Sequence, residues 1–309
     1  QGNWAMLGRV TWSTDFAAYH TDRTPLDDDA RKSVKQNISL LHLWASKDFK
    51  IGDNSAKVKF GNQVISWGED IFIFGGINSI NALDLRKVHT PGTQVKEILR
   101  PAPMVSLNTG IADGVSAEAY YQWRWNAFRF DPVGTFFSAG DVVGAGQRPA
   151  YIPSSVLGEA PGVFGDRGNA IANGVNVVPF ESDKTPPKGK QFGMAMRFKP
   201  KGADTEFGLY YERYHDKLPF TTLFTDPNYL QYNVAAIGYY NEYGQDKNLF
   251  GASFNTKIGP VAVGGEISYR PRDSVAIDPS VPLAGRRSQC AWPLPRPSRS
   301  ARSARRSSV

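Results

Sequence analysis

The chain has 309 residues, 41% of them hydrophobic and 12% aromatic, with a formal net charge of +7 at pH 7. No apolar run reaches the roughly 18 residues a membrane helix needs, which excludes a transmembrane helix but not a barrel whose strands are each only half apolar. The charge excess sits at one end: residues 285–309 hold seven arginines and no Asp or Glu, and without those seven the remaining 29 Lys and Arg balance 29 Asp and Glu. A formally neutral body argues against a nucleic-acid partner.

In chain order the sequence reads as strand after strand. Trp4, Met6, Gly8, Val10 and Trp12 alternate with Ala5, Leu7, Arg9 and Thr11. Asp27, Asp28 and Asp29 form an acidic run, read as a solvated loop because it lacks the spaced ligands of a calcium loop. Val34 to Trp44 alternates less cleanly, with Val34, Gln36, Ile38, Leu40, His42 and Trp44 expected on one face. A Gly52-Asp53-Asn54 turn leads into Ala56–Gln63, and Ala112-Asp113-Gly114 joins Met104–Gly110 to Val115–Trp125. Further strands are expected over 191–199, 205–215, 232–241, 248–257 and 260–270, and no helix of any length. The connections after Lys199 and Lys257 are short, that from Tyr214 to Tyr232 is intermediate, and that from Trp125 to Lys190 is long and rich in Gly and Pro. Short turns at one end and long loops at the other are the asymmetry of outer-membrane barrels.

Face parity strengthens this reading. Val115, Ala117, Ala119, Tyr121, Trp123 and Trp125 oppose Ser116, Glu118, Tyr120, Gln122 and Arg124. Phe192, Met194, Met196 and Phe198 oppose Gln191, Gly193, Ala195, Arg197 and Lys199, while Phe207, Leu209 and Tyr211 oppose Glu206, Gly208, Tyr210, Glu212 and Tyr214. A charge at mid-bilayer costs about 2–4 kcal/mol, so charges belong on the lumen side, and they keep to one parity. The expected fold is all-β: an antiparallel transmembrane β-barrel, incomplete, with about ten to twelve strands of a larger barrel over residues 1–284. Gly68–Arg100 is too polar and irregular in its second half for a lipid-facing strand and is expected to fold into the lumen or form a periplasmic turn. Glu69, Asn78, Asn81, Asp84, Arg86, Lys96, Glu97 and Arg100 would then line or constrict a pore, with Glu118 and Arg124 on the lumen face, or else anchor the inner segment to the wall.

Enzyme chemistry finds no constellation. His20, His42, His89 and His215 lack helical metal-pair spacing, and Gly140, Gly144 and Gly146 precede no Gly-Lys-Ser/Thr. Neither a metal nor a cofactor is expected. The lone cysteine, Cys290, lies in the tail, so the body forms no internal disulfide. The tail, residues 285–309, loses all alternation and is read as disordered, either a basic arm or, preferred, a segment translated out of frame from near Pro282–Gly285. No leader is visible at Gln1; it is expected to have been removed or lost.

Phe60 to Tyr151 carries a resemblance. Gly61-Asn62-Gln63-Val64, Ser66-Trp67-Gly68-Glu69, Gly75-Gly76-Ile77-Asn78, Asn81 with Asp84, Pro91-Gly92, Lys96-Glu97, Pro103-Met104, and Asp131-Pro132 with Gly134-Thr135-Phe136-Phe137 together resemble a proteobacterial outer-membrane family known only as a domain of unknown function, DUF1302. The weaker likeness runs from about Gly2 to Arg270. The resemblance implies an outer-membrane barrel that continues past Arg270, ends on an aromatic residue, and works beside envelope lipoproteins and export pumps in traffic of lipidic or hydrophobic compounds. The chain ends Ser307-Ser308-Val309 instead, and a truncated or frame-shifted copy is therefore expected. The expected function is porin-like passage or handling of a small hydrophobic or lipidic solute in the outer membrane of a Gram-negative bacterium, with outer-membrane lipid as its first partner. The alternatives are a surface adhesin or receptor using the Trp125–Lys190 loop, and a soluble β-sandwich binding module.

Overall fold

The computed structural model describes residues 3–17, 26–69, 75–138, 140–151, 177–232 and 236–274. The tail, the boundary expected at 284/285 and residues 152–176 of the long loop lie outside the described residues. The chain is all-β, and its main element is a nine-stranded antiparallel sheet. Its strands are β1 (Trp4–Thr14), β2 (Gln36–Ile51), β3 (Asn54–Gln63), β4 (Ala102–Ala112), β5 (Val115–Gln122), β6 (Gln191–Phe198), β7 (Thr205–Tyr214), β8 (Lys247–Ile258) and β9 (Val261–Tyr269). Each pairs with its neighbour in this order, and the sheet does not close: β1 and β9 are its edges among the described residues.

The hairpins are set by local chemistry. Gly52, Gly114 and Gly259 take φ values of 61°, 72° and 60°, which an L side chain adopts only under strain, and each closes a two-residue connection. These turns and the short 199–204 link lie at one end of the sheet. At the other end the long connections leave the sheet after Thr14, Gln63, Gln122 and Tyr214 and rejoin it.

Register carries the expected parity across the sheet. One cross-strand row runs Trp4, Lys47, Val58, Leu107, Ala119, Met194, Tyr211, Phe250 and Tyr269, apolar but for a single lysine. Its side of the sheet, the outer side, is exposed: Met6 at 78%, Leu209 at 63% and Ile267 at 72%. The adjacent row on the inner side runs Ser46, Lys59, Ser106, Tyr120, Gly193, Glu212 and Leu249. Several of these are buried, under the segment between β3 and β4. Ile65, Trp67, Ile77 and Ile80 from that segment form one core with Ala102, Met104, Tyr120, Ala195, Tyr210, Tyr214 and Leu249 of the strands and their ends.

Several expectations need correcting. Residues 28–35 form a helix, α1 (Asp28–Lys35), so Val34 is helical and Asp28 and Asp29 are its acidic first turn, with Asp28 paired to Arg31, rather than a bare loop. The blurred alternation of β2 is a bulge: Arg9 opposes His42 but Val10 opposes Leu40, leaving Leu41 extra. Leu41 is buried, and exposed Leu43, not His42, continues the outer side after Ile38 and Leu40. The strand expected over 232–241 is shorter, Ile237–Glu242, and lies off the main sheet between Phe220–Thr225 and Phe180–Lys184, pairing in parallel with the latter. Among the described residues the large sheet therefore holds nine strands, fewer than the ten to twelve expected.

Small residues set how closely the inner segment approaches. A Cβ on Gly193 would lie 2.7 Å from Tyr120 Cε1 and 2.8 Å from both Trp67 Cζ3 and the Tyr211 carbonyl oxygen. Gly193→Val is expected to lower stability by about 1–3 kcal/mol through overpacking, read as a lower midpoint in a urea titration. An unchanged midpoint would contradict the packing described.

Candidate functional site

Beside that core, polar contacts to backbone groups hold the described parts of segment 64–101 against the inner face. The Glu266 carboxylate on β9 accepts the Glu69 N–H at 2.7 Å and the Ile77 N–H at 2.8 Å. Arg270 donates to the carbonyls of Gly75 and Gly76, and Lys217 Nζ, itself buried, donates to the Ser79 carbonyl at 3.0 Å. Trp67, fully buried, donates its indole N–H to Glu118 at 2.9 Å, and Arg197 pairs with the same carboxylate at 3.2 Å. The Glu69 carboxylate accepts from Asn255 at 2.8 Å. Asn81, buried, grips Ile65 through both its N–H and its carbonyl, and Asn78 bonds Ser66 and Asn81. Of the sequence-predicted residues, Glu69, Asn78, Asn81 and Glu118 thus fasten the segment to itself and to the wall.

A second group gathers where the segment returns toward β4. Asp84 is buried and accepts two bonds from Arg86, Nε and Nη2 each at 2.8 Å, with Arg129 Nη1 at 3.7 Å. Backbone pairing fixes this meeting: the Leu85 N–H donates to the Arg129 carbonyl, and the Arg129 N–H to the Leu83 carbonyl, each at 2.8 Å. Arg86 also reaches Ser33 on α1 at 3.2 Å, and Arg129 reaches Ser39 on β2 at 3.2 Å. Glu97 pairs with Arg9 of β1, and Arg100 donates to the Ala127 carbonyl. Asp84, Lys87, Glu97, Arg100, Arg124 and Arg129 line a cavity of about 580 Å³ whose apolar walls include Leu40, Leu41, Leu99, Pro103 and Trp125. A neighbouring cavity of about 770 Å³ shares Ile38, Ala127 and Arg129 with it.

Electrostatics follow from this crowding. Burial by itself would raise the Asp84 carboxyl, but the Arg86 hydrogen bonds and the charges of Arg86, Arg129 and Lys87 outweigh it and hold it below the ordinary aspartate value. Burial pushes Arg100 down to about 10, and the neighbouring Arg129 and Arg86 add to that. Burial also lowers Lys87 and Arg129, against the pull of Asp84.

The structure therefore brings Asp84, Arg86, Glu97, Arg100 and Arg124 of the predicted residues to one place, and leaves Lys96 exposed outside the cavity lining. Arg129, Lys87 and Arg9 belong to the group but were missed. Lys87 sits beside Arg86 in a visibly polar stretch, whereas nothing local to Arg129, in an aperiodic connection, points to Asp84.

A protein-family model described as "Protein of unknown function (DUF1302)" matches residues 1–302, so the chain belongs to that family, and the match runs on into the Arg-rich tail. No curated protein and no solved structure matches the chain.

Removing the Asp84 charge strands the guanidinium groups of Arg86 and Arg129. Asp84→Asn is expected to cost roughly 3–5 kcal/mol of stability at neutral pH. Because the folded carboxyl titrates below its unfolded value, that contribution is complete above the ordinary aspartate range and is lost as pH falls through the lowered value. The stability gap between parent and variant should therefore narrow on acidification below about pH 4, measured by urea titration at several pH values. A gap that stays constant would contradict the assignment.

Proposed function

We propose that the chain is an outer-membrane β-barrel protein whose lumen is partly filled by segment 64–101, and that it passes or handles small hydrophobic or lipidic solutes. One observation carries this reading: the large sheet is inside out for a water-soluble protein. Its exposed side bears Trp4, Met6, Trp12, Met196, Leu209 and Ile267, while polar and small residues face the protein interior. A continuous apolar surface of that extent is foreign to a monomer in water and suited to lipid. Seven of the nine strands, among them β1, β4 and β7, run nine residues or more, the length a tilted strand needs to cross the hydrocarbon layer. A β-sandwich would cover that face with a second sheet, and the exposure of these side chains disfavours it. The reading requires β1 and β9 to be paired in the membrane, with each other or with further strands, since lipid does not solvate unpaired edges.

Handling of a lipidic solute rests on the mixed cavity, lined by both apolar and charged side chains, at the loop end of the sheet. Neighbouring parities test the membrane part. Met196→Arg points a charge outward, and Asn108→Arg points one inward at an exposed position. In refolding into phospholipid vesicles, Met196→Arg is expected to disfavour insertion by about 2–4 kcal/mol and Asn108→Arg to leave it within error. Equal inserted fractions for the two would overturn the assignment. On the same vesicles, faster entry of a fluorescent apolar dye than in empty vesicles supports passage, and equal rates remove it.

A further inference from the structure

We infer that the 580 Å³ cavity binds the anionic head, a carboxylate or phosphate, of an amphipathic ligand whose apolar part lies along Leu41, Leu99 and Trp125. This deepens, and rests on, the proposal that the chain handles lipidic solutes.

Charge bookkeeping within the cavity leads here. Its two carboxylates are engaged: Asp84 by Arg86 and Arg129, and Glu97 by Arg9. Four cations line it, Lys87, Arg100, Arg124 and Arg129. Among the described residues, Lys87, Arg100 and Arg124 have no carboxylate within ion-pair distance, and the Arg100 guanidinium makes only the bond to the Ala127 carbonyl. A guanidinium carries five N–H donors in a planar fork suited to carboxylate and phosphate oxygens. Crowded cations that burial already disfavours gain most from an oxygen anion placed between them; Arg100 and Lys87 are lowered first by burial and then by the neighbouring arginines. The apolar part of the lining argues against a bare inorganic ion, which would leave Leu41, Leu99 and Trp125 without an apolar partner. An amphipathic anion satisfies both kinds of lining at once.

The test uses the full chain in neutral detergent micelles and isothermal titration with three probes: octanoate, octan-1-ol and inorganic phosphate. Octanoate is expected to saturate one site and to bind about tenfold or more tightly than octan-1-ol. Arg124→Gln and Lys87→Gln, chosen because neither side chain makes a hydrogen bond or ion pair among the described residues, should each weaken octanoate several-fold and leave octan-1-ol unchanged. Arg124→Lys should recover part of the loss, and Lys201→Gln, at the turn end, should behave as the parent. Equal affinities for acid and alcohol, or indifference to both glutamine variants, would overturn the inference. Phosphate binding more tightly than octanoate would overturn the amphipathic part and make the ligand a free anion. Vesicle insertion of the same preparation separates the two readings. A chain that inserts but does not discriminate charge loses this inference alone, and one that discriminates but does not insert loses the membrane proposal alone.

Discussion

The arrangement depends on segment 64–101 lying against the small and polar face of the nine-stranded sheet. Glu266, Arg270 and Lys217 bind the segment's backbone, and Trp67, Ile77 and Ile80 fill the space above Gly193, Gly251 and Ala195. Backbone groups of an irregular segment buried against a sheet must find partners, and here charged side chains of β9 and of the stretch after β7 supply them. Once the inner side is taken as the core, the apolar side has nowhere to go but outward. The membrane proposal follows from that one choice of face, and the charged cavity follows from where the segment turns back toward β4.

Much of the sheet was legible because its signal is local. A period of two over ten residues, as in Thr205–Tyr214, fixes both the strand and its face, and Gly with a following or preceding turn residue fixes the hairpins. What failed was not local. The bulge at Leu41 shifts β2 by one residue without breaking its apolar character, so His42 was given the wrong face. Ile237–Glu242 has a strand's pattern, and only its partners show that it belongs to a side sheet. Polar residues of the inner segment were recognised as a set, but their division into fasteners such as Asn81 and cavity residues such as Arg100 depends on Arg129, brought from an aperiodic stretch by backbone pairing.

Membership of the DUF1302 family accords with the motifs between Phe60 and Tyr151, and the positions of those motifs now have physical content. Ser66 to Glu69 and Gly75 to Asn78 are where the inner segment docks on β8 and β9. Gly68, with φ at 80°, has Glu266 and Ile77 within 3 Å of the place a Cβ would occupy, so the docking turn tolerates only glycine. Asn81 with Asp84 closes the segment and opens the charged group.

The account's central claim is that the outer side of the sheet meets lipid. Its most direct test is site-directed spin labelling of β7, one position at a time from Phe207 to Glu212, in a Cys290→Ser background reconstituted in vesicles. Collision with oxygen, which concentrates in hydrocarbon, should peak at Phe207, Leu209 and Tyr211 with little collision with a water-soluble nickel chelate, and both should be low at Tyr210 and Glu212 beneath the inner segment. Nickel collision as frequent as oxygen collision at Phe207, Leu209 and Tyr211 would place that face in water and contradict the account.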